Sequence, residues 1–377
     1  MNLAHISDTH LGYRAYNRFT PQGFNQRELD VMLTFKACLE AIVKRDPDVI
    51  IHSGDLFHVV RPSNATIIET FKTLGRVQQE RNCKPFIIVG GNHDTPRTSD
   101  SGNILKLFEG IPGIYVHPAS AAAFSIDELD LEVLCVPNQS LIQRESVDWV
   151  PQLGKKHSLL SVHGIATQAM LPNTSDFDIE ETKHDLWTYV ALGDFHKFQK
   201  FGRNVCYSGS TDFTSSNIWE ETGTPKGWVY FDSESGAIDF QPILTRAVID
   251  LKTLDGEGLG AEELSDALVA AAKWDDELPI VRQLVRNVRP EVRAKISLDA
   301  VRSIQARALD YRLQTFAPHS YSVGMTEDGR AKTLEMSWAD HVGTAALTPG
   351  VGREELKELG LKLLQEVKEL ETAPVEA

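Results

Sequence analysis

Five short clusters gather the side chains of this sequence that could do chemistry. They are Asp8-Thr9-His10, Gly54-Asp55-Leu56-Phe57-His58, Gly91-Asn92-His93-Asp94, His163-Gly164 and Gly193-Asp194-Phe195-His196. Carboxylates and imidazoles mixed in this way suit Mn²⁺, Fe²⁺ or Zn²⁺ better than Ca²⁺. In an extended segment residues two apart point the same way, so Asp8 and His10 can grip one ion, and Asp194 and His196 repeat the spacing. Asp55 has two oxygens, enough to bridge two ions, and Asn92 offers a neutral amide oxygen. Two divalent ions about 3.5–4 Å apart activate water and clamp a phosphate during in-line attack. One Asp-x-His alone is usually incidental; five such clusters in order are hard to produce by chance.

Each cluster follows an apolar run that reads as a strand. The candidates are 3–7, 48–53, 85–89, 132–136, 159–162, 189–192 and 205–208. Between the first three, residues 27–44 (Leu29, Met32, Leu33, Leu39, Ile42) and 65–79 carry apolar residues at helical spacing. Strands alternating with helices predict a layered α/β domain, and open α/β sheets bind ligands at the carboxyl ends of their strands. Strands at 227–232 and 238–242 close this first domain, predicted as 1–244. His5 and His52, inside apolar strands, read as core residues. His117, His157, His184, His319 and His341 read as surface or loop. His58, three residues after Asp55, is close enough to touch a reacting phosphate and equally placed to be a bystander.

A second unit is predicted from 245 to 316, with a helix at 261–273, a strand at 279–288 and a helix at 298–313. Within it Arg282, Arg286, Arg289, Arg293, Lys295, Arg302, Arg307 and Arg312 make the one clearly basic segment of an acidic chain. Residues 317–333 read as a linker. In the segment 334–377, Leu356, Leu359, Leu363, Leu364 and Val367 give an amphipathic helix that docks either on its own domain or on a partner.

Composition bounds the function classes. The 377-residue length suggests two or three units, and no apolar run approaches the ~20 residues of a membrane span. No leader pattern is visible, and the four cysteines, far apart, read as core fillers in a reducing, cytoplasmic compartment. A net charge of −15 argues against a free-standing nucleic-acid binder, unless metal ions and a local patch or partner supply the positive charge.

With its five clusters in this order, the chain resembles the calcineurin-like metallophosphoesterase superfamily, whose pattern runs Asp-x-His, Gly-Asp, Gly-Asn-His-Asp, His-Gly, Gly-His-x-His. His5-Ile6-Ser7-Asp8-Thr9-His10-Leu11-Gly12 and Gly54-Asp55-Leu56-Phe57-His58 are similar, more narrowly, to the SbcD-type (Mre-eleven type) nucleases. The resemblance implies a layered α/β metallophosphoesterase sandwich, a small α+β capping domain and C-terminal helices that dock on an SbcC-type ATPase. It implies DNA as substrate, a homodimer, no membrane association, and two divalent metal ions, Mn²⁺ foremost and Mg²⁺ or Fe²⁺ next. By position, Asp8, His10, Asp55 and His196 would hold one ion, and Asp55, Asn92, His163 and Asp194 the other. His93 would donate a hydrogen bond or proton near the leaving oxygen, with Asp94 orienting it. His58 would position the DNA backbone, and Arg286, Arg289 and Arg293 would contact it from the cap.

Two positions depart from the family pattern. Asp194 stands where the family has His, so three carboxylates would face the ions and harder ions such as Mn²⁺ or Mg²⁺ would be favoured over Zn²⁺. Ser208 stands where Pro often follows Tyr. The competing expectation is a small-molecule phosphodiesterase or phosphatase with the same metal core; a third is a binding module with a decayed site.

Overall fold

In the computed structural model, which describes residues 1–96, 102–169, 175–318, 333–345, 347 and 352–372, the first three strands are short and almost wholly buried. β1 (Asn2–Ile6), β2 (Val49–His52) and β3 (Phe86–Val89) run parallel, and β4 (Ile114–His117) continues the sheet beside β3. Strands covered on both faces read as continuous apolar runs, which is why Val49-Ile50-Ile51 and Phe86-Ile87-Ile88-Val89 show no alternation.

The second sheet holds β5 (Ala122–Ile126), β6 (Leu131–Val136), β7 (His157–His163), β8 (Tyr189–Gly193), β9 (Gln199–Phe201) and β10 (Val205–Tyr207), in the order β5-β6-β7-β8-β10-β9. β11 (Gly227–Asp232) and β12 (Ala237–Pro242) return to the first sheet, whose order is β12-β11-β1-β2-β3-β4, with β11 antiparallel to β1. Leu3, Val49, Ile51, Ile87 and Val89 face the second sheet and pack on Val133, Cys135, Leu159, Tyr189 and Ala191. Ala4, Ile6, Ile50, Phe86 and Ile88 face the other way, onto α1 (Gln26–Arg45) and α2 (Asn64–Glu80). Phe177, Ile179 and Trp187 cover the outer face of the second sheet.

Each helix starts where a side chain takes its free amides. Asn25 accepts from Arg27 and Glu28, and Ser63 from Thr66. Asp46, in the left-handed region, ends α1 and returns its amide to the carbonyls of Ile42 and Val43. The inward face of α1 is Val31, Phe35, Cys38, Leu39 and Ile42, whereas Leu33 points outward and is 52% exposed.

The chain divides into two compact units, Met1–Ile249 and Asp250–Ala377. The second opens along β13 (Val248–Asp255) and forms a three-stranded sheet, β13-β14-β15. Its other elements are α4 (Ala261–Ala271), β14 (Ile280–Arg286), α5 (Pro290–Arg293), α6 (Leu298–Gln305), β15 (Asp310–Thr315), α7 (Leu334–Thr344) and α8 (Arg353–Thr372). In the first unit α3 (Asn138–Ile142) follows β6. Among the described residues no helix is long and apolar enough to cross a membrane.

Several expectations are corrected. The helix expected over 298–313 stops at Gln305, and Asp310–Thr315 pairs in parallel with β14. Tyr311 is buried as a strand residue while Arg312 points out. Strands β4, β5 and β9 went unread, and His117 lies on β4 with its ring stacked on Phe124 at 4.6 Å. His157, expected on a surface or loop, begins β7. Cys83 is exposed, unlike Cys38, Cys135 and Cys206. Most of the linker expected at 317–333 lies outside the described residues, as does His319.

Candidate metal centre

The loops that follow β1, β2, β3, β7 and β8 meet at one edge of the two sheets and are zipped together by backbone bonds. Asp8 donates its amide to Gly54 O (3.0 Å), His10 to Asp55 O (3.0 Å) and Leu11 to Leu56 O (2.9 Å). Asp8, His10, Asp55 and Asp194 all have positive φ, between 46° and 95°. Such backbone costs about 1–3 kcal/mol per residue and persists where surrounding bonds over-determine it. Extended backbone, expected from the Asp-x-His spacing, is not what aligns Asp8 with His10. The pair converges through left-handed turns, not an extended strand, and Thr9 between them bonds His52 Nε2 (3.0 Å) and Leu56 O (3.0 Å).

Ligand atoms of Asp8, His10 and His196 lie within 4.8 Å of one another, as do those of Asp8, Asp55, His163 and Asp194. Asp55 reaches both groups: Oδ2 is 3.6 Å from His10 Nε2, and Oδ1 is 3.6 Å from His163 Nε2. Asn92 Oδ1 is 3.0 Å from His163 Nε2, and Asp194 Oδ1 is 3.7 Å from it. His163 Nδ1 is 2.7 Å from Ser53 O, a carbonyl that only accepts, so the ring carries its proton there and turns the Nε2 lone pair into the cluster. A Cβ on Gly91 would run into the Asp55 carboxylate, so only glycine lets this loop pass so close.

The charges in this cluster are uncompensated. Burial pushes Asp8 up to about 6, reinforced by Asp194 though opposed by His163. Burial and the nearby Asp176 push Asp194 up to about 7, and burial with Asp94, Asp8 and Asp194 holds Asp55 well above the usual carboxylate range. Burial pushes His196 down to about 3 and His10 well below its ordinary value, so both rings keep their lone pairs. Among the described residues no arginine or lysine lies within ion-pair distance of Asp8, Asp55 or Asp194. Buried carboxylates without counter-ions cost several kcal/mol each, and divalent cations held by this oxygen and nitrogen set would remove that cost. The residues present therefore fit a pair of divalent ions.

His93 and His58 sit at the mouth. His93 Nδ1 is 2.8 Å from the His58 carbonyl, which fixes the Nδ1–H and leaves Nε2 toward the cleft. The His58 ring stacks on His93 (5.2 Å between centroids) and meets Tyr13 edge-on (4.9 Å). Asp94 does not orient His93: its carboxylate accepts from the amides of Leu56 (2.9 Å), Phe57 (2.7 Å) and Gly91 (3.3 Å). It ties the loop after β3 to the loop that carries Asp55. The cleft, about 620 Å³, is lined by His10, Tyr13, His58, His93, Asp194 and His196, and also by Lys197 and residues 214–217. Arg286, Arg289 and Arg293 are exposed on the second unit, Arg289 3.7 Å from Glu291.

Sequence reasoning missed Tyr13 and Ser7, and it read Ser208 only as a departure from the family pattern. Ser7 Oγ donates to Asp8 Oδ2 (2.6 Å) and is 2.9 Å from Ser208 Oγ, so the departure at Ser208 supplies a hydroxyl behind a ligand. Only the adjacency of Ser7 to Asp8 could have signalled it.

Residues 1–209 match the family model for calcineurin-like phosphoesterases. The chain is 38% identical over 336 residues to the DNA double-strand break repair protein Mre11 of Sulfolobus acidocaldarius, covering 83% of this chain and 82% of that one. It is 30% identical to the Mre11 proteins of Methanocaldococcus jannaschii (64% of this chain, 65% of that one) and Sulfurisphaera tokodaii (56% and 54%). The chain thus spans only about two thirds and about half of the lengths of these two relatives. On these matches, together with the five converging loops, the chain belongs to the calcineurin-like phosphoesterase family and, within it, to the Mre11 group.

Proposed function

We propose that this chain is a Mn²⁺-dependent DNA exonuclease and endonuclease, working as a homodimer with an SbcC-type ATPase in double-strand-break repair. The observation that carries the reading is the set of seven donors on five loops, Asp8, His10, Asp55, Asn92, His163, Asp194 and His196, beneath an open cleft. The names of the relatives, double-strand break repair proteins, supply the substrate class. When bound, the ion pair would supply an activated water and charge for the phosphate. Asp8, His10, Asp55 and His196 would hold one ion; Asp55, Asn92, His163 and Asp194 the other. The third carboxylate, Asp194, favours Mn²⁺ over softer ions. His93, its Nδ1–H fixed by the His58 carbonyl, would in its protonated form give the Nε2 proton to the leaving oxygen. His58 would position the scissile phosphate. Cleavage of end-labelled duplex that requires Mn²⁺ tests the reading. Hydrolysis of a small chromogenic phosphodiester alone would favour the small-molecule enzyme.

The exposed arginines of the small α+β unit support its role as a cap that contacts the DNA backbone. Reversing Arg286, Arg289 and Arg293 to glutamate is expected to weaken duplex binding at least ~10-fold. It should also flatten the logarithmic salt dependence by up to about 3, since each phosphate contact contributes about 0.9. Unchanged affinity and slope would remove the cap from the interface.

An exposed apolar face on the first unit supports the dimer. Phe24 and Leu33 are exposed at a hollow also lined by Leu29 and Met32, and Ile68 and Phe71 are exposed on α2. Leu33→Glu combined with Ile68→Glu is expected to give a monomer by light scattering with the metal centre intact. A variant that stays dimeric places the interface elsewhere.

The C-terminal helices support docking on a partner. Trp338 of α7 donates to Lys357 O (3.1 Å), and its ring occupies the space above Gly360 that a Cβ would fill. With that face closed within the pair, Leu359, Leu363 and Val367 remain exposed at four-residue spacing along α8.

A further inference from the structure

We propose that Glu221, held by Lys226, is the positioning residue that sets the tautomer and orientation of His196. The inference rests on the metal-pair reading of the cleft. Lys226 is 2% exposed and its ammonium donates to three oxygens: Glu221 Oε2 (2.6 Å), the His196 carbonyl (2.9 Å) and Ser210 Oγ (2.9 Å). Glu221, 4% exposed, directs its other oxygen, Oε1, to within 3.7 Å of His196 Nδ1. That nitrogen is buried and has no hydrogen-bond partner. The opposite nitrogen, Nε2, is 3.1 Å from His10 Nε2, inside the candidate metal cluster.

A metal-ligating imidazole needs its outer N–H to point at an acceptor, which fixes the tautomer, aims the lone pair and makes the ring more basic. His163 meets this requirement with the Ser53 carbonyl. For His196 the acceptor in position is the Glu221 carboxylate, a small side-chain adjustment from hydrogen-bond length. A buried Lys–Glu pair is by itself weak evidence of stabilisation, because desolvation offsets the attraction. Here one pair secures both ends of one ligand: Lys226 the backbone of His196, Glu221 its ring. The pair is anchored beside the cluster, because Lys226 immediately precedes β11, which pairs with the β1 strand that leads to Asp8. Glu221 ends the short 3-10 turn Ile218–Glu221, so the loop that lines the cleft also carries the orienting carboxylate.

The test measures Mn²⁺ binding by calorimetry, and the ring ¹⁵N shifts of His196 in metal-free protein. It compares wild type, Glu221→Gln, and Glu221→Leu combined with Lys226→Met. The double variant replaces the buried pair by apolar side chains and leaves no unpaired charge behind. Wild type is expected to bind two ions with His196 protonated on Nδ1. Both variants should weaken one of the two ions about 10–100-fold and leave the other unchanged. The ¹⁵N shifts in the double variant should report a mixture of tautomers. A folded double variant with both affinities and the wild-type shifts would overturn the proposal. A wild type that binds no pair of ions would instead overturn the metal-pair reading beneath it.

Discussion

Asp55→Asn is expected to abolish phosphodiester cleavage, by at least ~10³-fold, and at the same time to raise the melting temperature of the metal-free protein at neutral pH. The first effect follows from position. Asp55 presents an oxygen to each side of the cluster, 3.6 Å from His10 Nε2 and 3.6 Å from His163 Nε2. Losing the charge of an ion at the transition state removes several kcal/mol, and each 1.36 kcal/mol is tenfold in rate. The second effect follows from electrostatics. Asparagine keeps an oxygen for the His93 amide, which Asp55 Oδ1 accepts at 2.9 Å, and removes one buried negative charge from a group of three.

The pH dependence of the metal-free fold should carry the same signature. Burial raises Asp8 to about 6 and Asp194 to about 7 from 3.8. Above the unfolded value the unfolded chain has released these protons while the folded chain still holds them. These two carboxylates therefore take up protons on folding, and their contribution to stability falls as pH rises from about 4 to about 7, whereas the buried neutral His10 and His196 contribute in the opposite direction. At 1.36 kcal/mol per unit the loss amounts to a few kcal/mol, about 2–4 °C of melting temperature for each kcal/mol. Thermal melts in chelator at pH 5 and pH 8, compared between wild type and Asp194→Asn, check it, because the buried histidines contribute equally in both proteins. The same pH dependence in the two proteins would mean that the carboxylate is compensated without a cation. Saturating Mn²⁺ should remove most of the pH dependence, because an ion that binds only the folded state stabilises it by mass action.

The clusters of this centre were legible because each donor stands at or just past the end of an apolar strand, where a sheet edge presents it. Asp8 and His10 sit directly behind Ala4-His5-Ile6, and Asp194 and His196 behind Val190-Ala191-Leu192. What the residues did not reveal is how the loops are held. Asp94 reads as the neighbour of a catalytic His93, yet its partners are the amides of Leu56 and Phe57, far upstream in the chain. Nothing local in Trp219-Glu220-Glu221-Thr222 separates a buried carboxylate beside a ligand from an ordinary acidic turn. Glu221 acquires its role only when Lys226 and His196 close on it. The fold shows the same limit. Buried central strands announce themselves by composition, whereas Gln199–Phe201 at an edge is half polar and is defined by its pairing with β10.

His93→Ala is expected to lower duplex cleavage by about 10²–10⁴-fold, the usual contribution of a positioned proton donor, with Mn²⁺ content unchanged. Metal content should survive because His93 belongs to neither donor group that contains the buried carboxylates. The substrate dependence of the loss separates two roles for the ring. A leaving deoxyribose oxygen needs a proton as its bond to phosphorus breaks, whereas a nitrophenolate leaves without one. If His93 Nε2 supplies that proton, the variant should lose far more activity on DNA than on a chromogenic nitrophenyl phosphodiester. Equal losses on both substrates would mean that His93 stabilises or positions the phosphate. The ring stack with His58 at 5.2 Å makes His58→Ala the necessary companion. That variant keeps the carbonyl that fixes His93 Nδ1 and removes only the ring. It should therefore weaken DNA cleavage less than His93→Ala, and by a similar factor on the two substrates.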